Sequence, residues 1–209
     1  GGGYADAVNS GTNALFSIIG ALQIKPGSEI VVPIMTDVGG VTPIIFWGCK
    51  PVICDVANDT FNIGLEEIKS KITSKTKAVI VTHIGGEPAD IIPIRKYLKK
   101  RQIHLIEDCS QSHGAKINDK NVGTFGDLSF FSTMSSKLHS SGGQGALIYS
   151  NKKKYIDIVK SISDRGKSFK NNKFTGKYNH LGINSNLDEL SSSIGLIQIQ
   201  KLPKIIFKT

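Results

Sequence analysis

Asp108 and Lys137 are the two side chains of this sequence whose types and settings point most directly to chemistry. Asp108 ends an apolar strand within Ile106-Glu107-Asp108-Cys109-Ser110-Gln111-Ser112-His113-Gly114-Ala115. A carboxylate there can hold a heteroaromatic nitrogen in its protonated form, because each charge stabilises the other. The same Asp could instead cap a following helix. Lys137 follows Phe130-Phe131-Ser132-Thr133-Met134-Ser135-Ser136 and precedes Leu138-His139 and the segment Ser140-Ser141-Gly142-Gly143-Gln144-Gly145. A lysine whose ammonium is destabilised by desolvation or by nearby cations becomes an amine nucleophile and can form a Schiff base with an aldehyde. Most lysines are simply solvated, and this chain has many. Upstream, Asn9-Ser10-Gly11-Thr12-Asn13-Ala14 stands directly before a helix. A helix start offers unbonded N–H groups and a positive dipole end, so Ser10, Gly11, Thr12 and Asn13 could dock a phosphate. Ordinary capping by Ser10 or Thr12 would use the same residues. A phosphate cradle, a pyridinium-pairing Asp and a strand-end lysine, in that order, match the needs of pyridoxal 5'-phosphate.

The elements that must position these groups follow from the periodicity. Short Val- and Ile-rich runs predict strands at Glu29–Pro33, Pro51–Val56, Ala78–His83, His104–Glu107, Asp127–Ser132 and Ala146–Ser150. Between them, helices are predicted at Thr12–Leu22, Val38–Phe46, Leu65–Ile72, Ile91–Arg101 and Lys152–Ser163, with a last one at Leu187–Leu202. Leu65, Ile68 and Ile72 fall on one face. The alternation predicts an α/β fold with a mostly parallel sheet, and such sheets bind ligands beyond the carboxyl ends of their strands. Thr82-His83, Asp108 with Gln111 and His113, and Ser132 followed by Lys137 all fall there. The residues before Ser10 read as a lead-in to a helix, and Arg165–His180 reads as a polar loop. Pro203 is expected to break the last helix, leaving an apolar tail with nothing to pack on.

Other chemistries are excluded or disfavoured. Gly166-Lys167-Ser168 has Ser161 where a P-loop needs its first glycine, no GxGxxG follows the first predicted strand, and no GxSxG elbow is present. Cys49, Cys54 and Cys109 form no CxxC pair and are odd in number, so neither a zinc site nor a disulfide framework is expected. With 39% hydrophobic and 21% charged residues in a chain of 209, a folded core is expected rather than disorder. No apolar run approaches a membrane span, and the cytoplasm is the expected compartment. Lys and Arg outnumber Asp and Glu by 26 to 17, but the lysines are scattered without an aromatic platform. Solvated faces therefore explain them better than nucleic acid does.

NSGTNAL, the VVP strand end, PVICDV, KAVIVTHIGGEPAD, IEDCSQSHGA, GTFGDLSFFST, the lysine after it and LGINSNLDELSSSIGLIQI follow one another from about Tyr4 to about Leu202. In that order they resemble the DegT/StrS family of PLP-dependent nucleotide-sugar aminotransferases. The resemblance implies a fold-type I PLP-transferase large domain, with a mostly parallel mixed sheet flanked by helices, in a homodimer with shared active sites. It implies a nucleotide-linked keto-sugar and L-glutamate as substrates, in polysaccharide or glycoconjugate (lipopolysaccharide) synthesis. Lys137 would carry the cofactor as a Schiff base and move protons, and Asp108 would pair with the pyridine nitrogen. Gln111 would sit near the phenolic oxygen. Thr12, the Asn13 amide and Ser132 would hold the phosphate, and Asn184 would reach the phosphate of a neighbouring subunit. Asp37, in MTDVGGV, stands where the family usually places an aromatic residue over the ring, and Gly143-Gln144-Gly145 replaces the more common E-G-G. A dehydratase branch with histidine in place of the lysine, and a non-catalytic binding or regulatory protein on the same fold, are the alternatives. The family also implies further residues on both sides. Residues 1–202 are thus expected to form the large domain, and 203–209 to begin a C-terminal small domain that is largely missing. Weakened folding or cofactor binding is expected of this polypeptide taken alone.

Overall fold

Apolar runs with a two-residue alternation and longer amphipathic runs succeed one another along the chain. The computed structural model, which describes residues 2–171 and 173–207, makes a sheet of the first and two covering layers of the second. The strands are β1 (Tyr4–Val8), β2 (Glu29–Pro33), β3 (Lys50–Cys54), β4 (Thr76–Thr82), β5 (His104–Asp108), β6 (Lys116–Ile117), β7 (Lys120–Asn121), β8 (Leu128–Ser132), β9 (Ala146–Ser150), β10 (Lys167–Lys170) and β11 (Lys173–Tyr178). The helices are α1 (Gly11–Ala21), α2 (Thr42–Phe46), α3 (Leu65–Lys71), α4 (Ile91–Lys100), α5 (Lys153–Ser163) and α6 (Glu189–Ile206). Seven strands form one sheet in the order β1-β9-β8-β5-β4-β2-β3. Its neighbours are parallel except β9, which runs antiparallel to both β8 and β1. This is the mostly parallel mixed α/β sheet expected. β6 with β7 and β10 with β11 form separate two-stranded hairpins.

Successive side chains of a strand point to opposite faces, and central parallel strands are covered on both. Ile30, Val32, Ile80 and Ile106 accordingly enter one core beneath α1 and α5, whereas Val31, Val79, Val81 and Leu105 enter the other beneath α3 and α4. Ile68 anchors α3 there, with Leu65 and Ile72 packed around it as the spacing predicted. In α1, Ala14, Leu15, Ile18 and Ile19 are fully buried. A side chain at Gly20 would strike Trp47 at 2.5 Å and Ile162 at 2.6 Å, so only glycine lets α1 approach α2 and α5 this closely. Packing of this kind, rather than propensity, holds an 11-residue helix whose N-terminus must stay fixed. Among the described residues no helix is long and apolar enough to cross a membrane.

Four local expectations are corrected. The lead-in to α1 is a strand, β1, which pairs with β9 far along the chain and has little apolar signature of its own. The helix predicted over Val38–Phe46 is broken into a 3-10 turn, Val38–Gly40, capped by Asp37, and α2, with Pro43 in its first turn. Two adjacent glycines do not sustain a helix. The polar stretch Arg165–His180 contains the β10–β11 hairpin. Phe169 pairs with Phe174 in register there, and Phe174 lies 5.4 Å from the Tyr178 ring. Cross-strand aromatic pairs stabilise a ribbon that composition alone reads as loop. Pro203 does not end α6, because an exposed helix can leave the unbonded Ile199 carbonyl to water. Ile206, placed in the tail, lies against Gly114.

At the amino ends of β5 and β8, Asp127 is 8% exposed and clamps several elements. Arg95 donates to both its oxygens at 2.8 and 3.1 Å, the Leu105 amide donates at 3.1 Å, and His104 lies 3.6 Å away. Burial opposes ionisation, but His104, Arg95 and Leu105 outweigh it and hold the carboxyl well below the usual carboxylate range. A carboxyl depressed in the folded state stabilises fully above its unfolded value and loses that contribution as pH falls toward the folded value. Asp127→Ala is expected to cost about 2–3 kcal/mol at neutral pH, with the difference from wild type shrinking below about pH 4. Denaturant unfolding of both proteins at several pH values measures this, and a difference constant down to pH 2 would refute it.

Candidate active site

The site is assembled at the carboxyl edge of the sheet. In register, Thr82 of β4 pairs with Asp108 of β5, and Asp108 pairs with Phe130 of β8. Three adjacent strands therefore end together, and α1 begins opposite them. Its cap, Ser10, accepts a hydrogen bond from the Asn13 amide at 3.1 Å, and no acidic residue occupies its first turn. A cavity of about 190 Å³ lies between these parts. Ser10, Gly11, Thr12, Asp108, Gln111, Ser132 and Lys137 all line it, as do Thr36, Asp37, Gly39, Thr82, Ser110 and Gln144.

Asp108 is 8% exposed and accepts the Ser110 amide at 3.0 Å. Burial pushes its carboxyl above the usual range, while the Ser110 contacts and the nearby His83 and Lys137 pull the other way. A cation placed against this oxygen pair would restore the charged form. The strand end is fixed from behind by Glu107, fully buried, which accepts the Gly123 and Phe125 amides at 2.7 Å, the Gly126 amide, and His83 Nε2 at 3.3 Å. His83 Nδ1 in turn accepts the Ala89 amide at 3.0 Å, which places its ring N–H on Nε2. His83, Glu107 and Cys109 bring ligand-type atoms within 4.8 Å of one another. Both His83 nitrogens and both Glu107 oxygens are engaged, and burial followed by Glu107 pushes the Cys109 thiol well up. The cluster is a brace rather than a metal centre.

Lys137 is carried by a loop tied across itself. The Thr133 amide donates to the Gly145 carbonyl at 2.7 Å, Ser135 to Gly143 at 2.8 Å, and Lys137 to Met134 at 2.9 Å. Thr133 and Ser141 share a hydroxyl contact at 2.9 Å. The serine-rich run and the Gly-Gln-Gly segment thus form one rigid support. Lys137 Nζ has no hydrogen-bond or ion-pair partner among the described residues.

The end of the cavity beside α1 is closed by the turn after β2. Asp37 accepts the Gly39 amide at 2.8 Å, and a Cβ at Gly39 would lie 2.5 Å from Thr12 Oγ1. That contact makes Gly39 the residue that lets the turn reach α1. Gly39→Val is expected to weaken binding of pyridoxal phosphate by about tenfold or more, by displacing Thr12. Fluorescence titration tests this, and an unchanged dissociation constant would remove Thr12 from the cradle.

Among the sequence candidates, Asn13 and Asn184 do not line the cavity. The Asn13 side chain bonds Asn9 at 2.7 Å, and Asn184 stands exposed, bridged to Asp164. Gln111 Oε1 accepts the Gly85 amide at 2.8 Å, turning its carboxamide toward that loop. Glu107 was missed, although the glycines of Gly123-Thr124-Phe125-Gly126 signal backbone amides free to approach a buried acceptor. Thr82 is signalled in the sequence only by its place at a strand end. Its buried hydroxyl has no partner among the described residues, and the residue lines the same cavity as Asp108. A half-exposed amine, a buried carboxyl short of a counter-charge, an orphaned hydroxyl and a capped helix start around one cavity fit pyridoxal phosphate. Asp37 on the rim supplies no aromatic face.

The sequence pattern of the DegT/DnrJ/EryC1/StrS aminotransferase family matches residues 1–209. GDP-perosamine synthase of Vibrio cholerae is 35% identical over 206 residues, 97% of this chain and 54% of that protein. The solved aminotransferase from Psychrobacter cryohalolentis has a TM-score of 0.90 at 30% identity, covering 96% of this chain and 53% of its own. GDP-4-keto-6-deoxy-D-mannose-3-dehydratase of E. coli, solved with bound hydrated PLP, has a TM-score of 0.87 at 30% identity, covering 96% and 57%. The chain spans about half the length of the curated relatives it matches.

Proposed function

This chain belongs to the DegT/DnrJ/EryC1/StrS aminotransferase family, and from that premise we propose that it is the cofactor-binding part of a pyridoxal phosphate-dependent aminotransferase. Its substrates are L-glutamate and a nucleotide-linked keto-sugar, its product feeds polysaccharide or glycoconjugate synthesis, and it works as a cytoplasmic homodimer. The observation that carries this reading is the convergence of Asp108, Lys137 and the capped start of α1 on one cavity.

When bound, pyridoxal phosphate supplies an aldehyde that captures amines and a ring that draws off the electron pair left when a proton is removed from the attached carbon. Asp108, buried and braced through its strand by Glu107, would hold a negative charge toward the ring nitrogen of the cofactor and favour its protonated form. Lys137 would offer the amine that holds the cofactor and would serve as the base that moves the proton at the substrate carbon. Ser10, Gly11, Thr12 and Ser132 bind phosphate, with the dipole of α1 favouring its charge. Asn13 acts through its place in the capped turn, and Asn184 extends toward a neighbouring subunit.

A dehydratase reading draws on the E. coli relative, but His139 counts against it. That ring is buried with Nε2 3.0 Å from the Gly195 carbonyl, and it does not line the cavity that Lys137 lines. Incubating the full-length protein with glutamate and a keto-sugar nucleotide separates the two. The expected result is one amino sugar and one 2-oxoglutarate per turnover. A deoxygenated sugar retaining its keto group, with no amino sugar, would refute the proposal.

A further inference from the structure

Lys137 stands on the wall between two cavities. It lines the smaller one with Asp108, and also a larger one of about 580 Å³ that includes Gly85, Gln111, His113 and Leu138. On the larger side the His113 imidazole is 6% exposed, and its Nε2 has no partner among the described residues. The Ser132 backbone lies beside the ring and, with Nε2 unpartnered, favours the N–H on Nδ1 and the lone pair on Nε2. Phe131 tilts against the ring at 5.6 Å and His139 meets it edge-on at 6.1 Å, so the imidazole is packed in place. The charged or titratable groups facing it are His139 and Lys137. Burial, then these two, bring its pKa down to about 4, so it is a neutral acceptor at physiological pH. Lys137 has the converse lack: donors with no acceptor.

Resting on the aminotransferase reading of this site, we propose that His113 is a positioning residue for Lys137, its Nε2 accepting a hydrogen bond from the lysine amine whenever that amine is released from the cofactor. A freed amine at this half-buried position is held in one place only where a protein acceptor competes with water for it. A carboxylate would answer that need but would fix the ammonium and suppress its action as a base. A neutral imidazole holds the amine at the cavity wall without locking its charge.

The test uses the full-length enzyme loaded with pyridoxal phosphate, with His113→Phe, which keeps a ring against Phe131, and His113→Gln, which restores an acceptor. After a single turnover with glutamate and then keto acid, the return of the lysine–cofactor bond is followed by absorbance. The Phe variant is expected to slow that return by about tenfold and the Gln variant to recover most of it. Independently, ¹⁵N spectra of the glutamate-treated protein should show His113 as the Nδ1–H tautomer, with an Nε2 resonance that moves in Lys137→Met. A Phe variant as fast as wild type, an Nε2–H tautomer, or an Nε2 resonance indifferent to Lys137→Met would each overturn the proposal. The spectra decide the matter if the Phe variant fails to fold. Absence of any borohydride-fixed cofactor on wild-type Lys137 would instead overturn the aminotransferase reading itself.

Discussion

Lys137→Ala is expected to lower amino transfer by about 10⁴-fold, because one side chain is asked both to fasten the cofactor and to move the proton at the substrate carbon. The loss should fall on turnover rather than on folding. The loop that carries Lys137 is held by backbone and hydroxyl contacts among Thr133, Met134, Ser135, Ser141, Gly143 and Gly145, none of which involves the lysine side chain. Thermal unfolding of the variant should therefore match wild type while the rate collapses. An added small amine should recover part of the rate by supplying the missing base. A variant that keeps within tenfold of wild-type turnover would place the reacting amine elsewhere.

Asp108→Asn is expected to reduce turnover by about 10²–10³-fold while changing cofactor affinity much less. Its charge acts most strongly where negative charge develops on the ring, whereas affinity is shared with the start of α1 and with Ser132. The pH dependence carries a definite sign. Burial raises the Asp108 carboxyl above the ordinary range, so it takes up a proton at a pH where an exposed aspartate would still be charged. In the empty site its readiness to receive a protonated ring nitrogen is therefore lost as pH falls through that raised value, whereas a ring cation once bound restores the carboxylate. The rate at which the empty wild-type site captures pyridoxal phosphate should show an acidic limb that the Asn variant lacks. Equal turnover in the two proteins, or the same acidic limb in both, would contradict this role.

Much of the scaffold was legible because buried parallel strands are short apolar runs with polar ends. Glu29–Pro33 and Ala146–Ser150 match the observed strands residue for residue. The carboxyl ends of β4, β5 and β8 bring Thr82, Asp108 and Ser132 to one place, as parallel-sheet topology expects. What could not be read locally depends on distant partners. Residues 4–8 become a strand only by pairing with residues 146–150. The Gly39 approach to Thr12 needs the turn after β2 folded onto α1. Glu107 looks like one more residue of an apolar strand until the glycine-bearing loop after β7 delivers its amides. The hairpin over 167–178 depends on aromatic pairing across strands rather than on an apolar run. His113, read as a polar strand-end residue, is a buried ring whose unpaired nitrogen becomes visible only with its neighbours in place.

The central claim is that the amine of Lys137 carries the cofactor aldehyde. Saturating the full-length protein with pyridoxal phosphate, reducing it with borohydride and mapping the modified peptide tests it most directly. The account predicts one phosphopyridoxyl group per chain, on Lys137, and none in Lys137→Ala. Labelling that spreads over surface lysines, or that persists at full stoichiometry in the alanine variant, would contradict it.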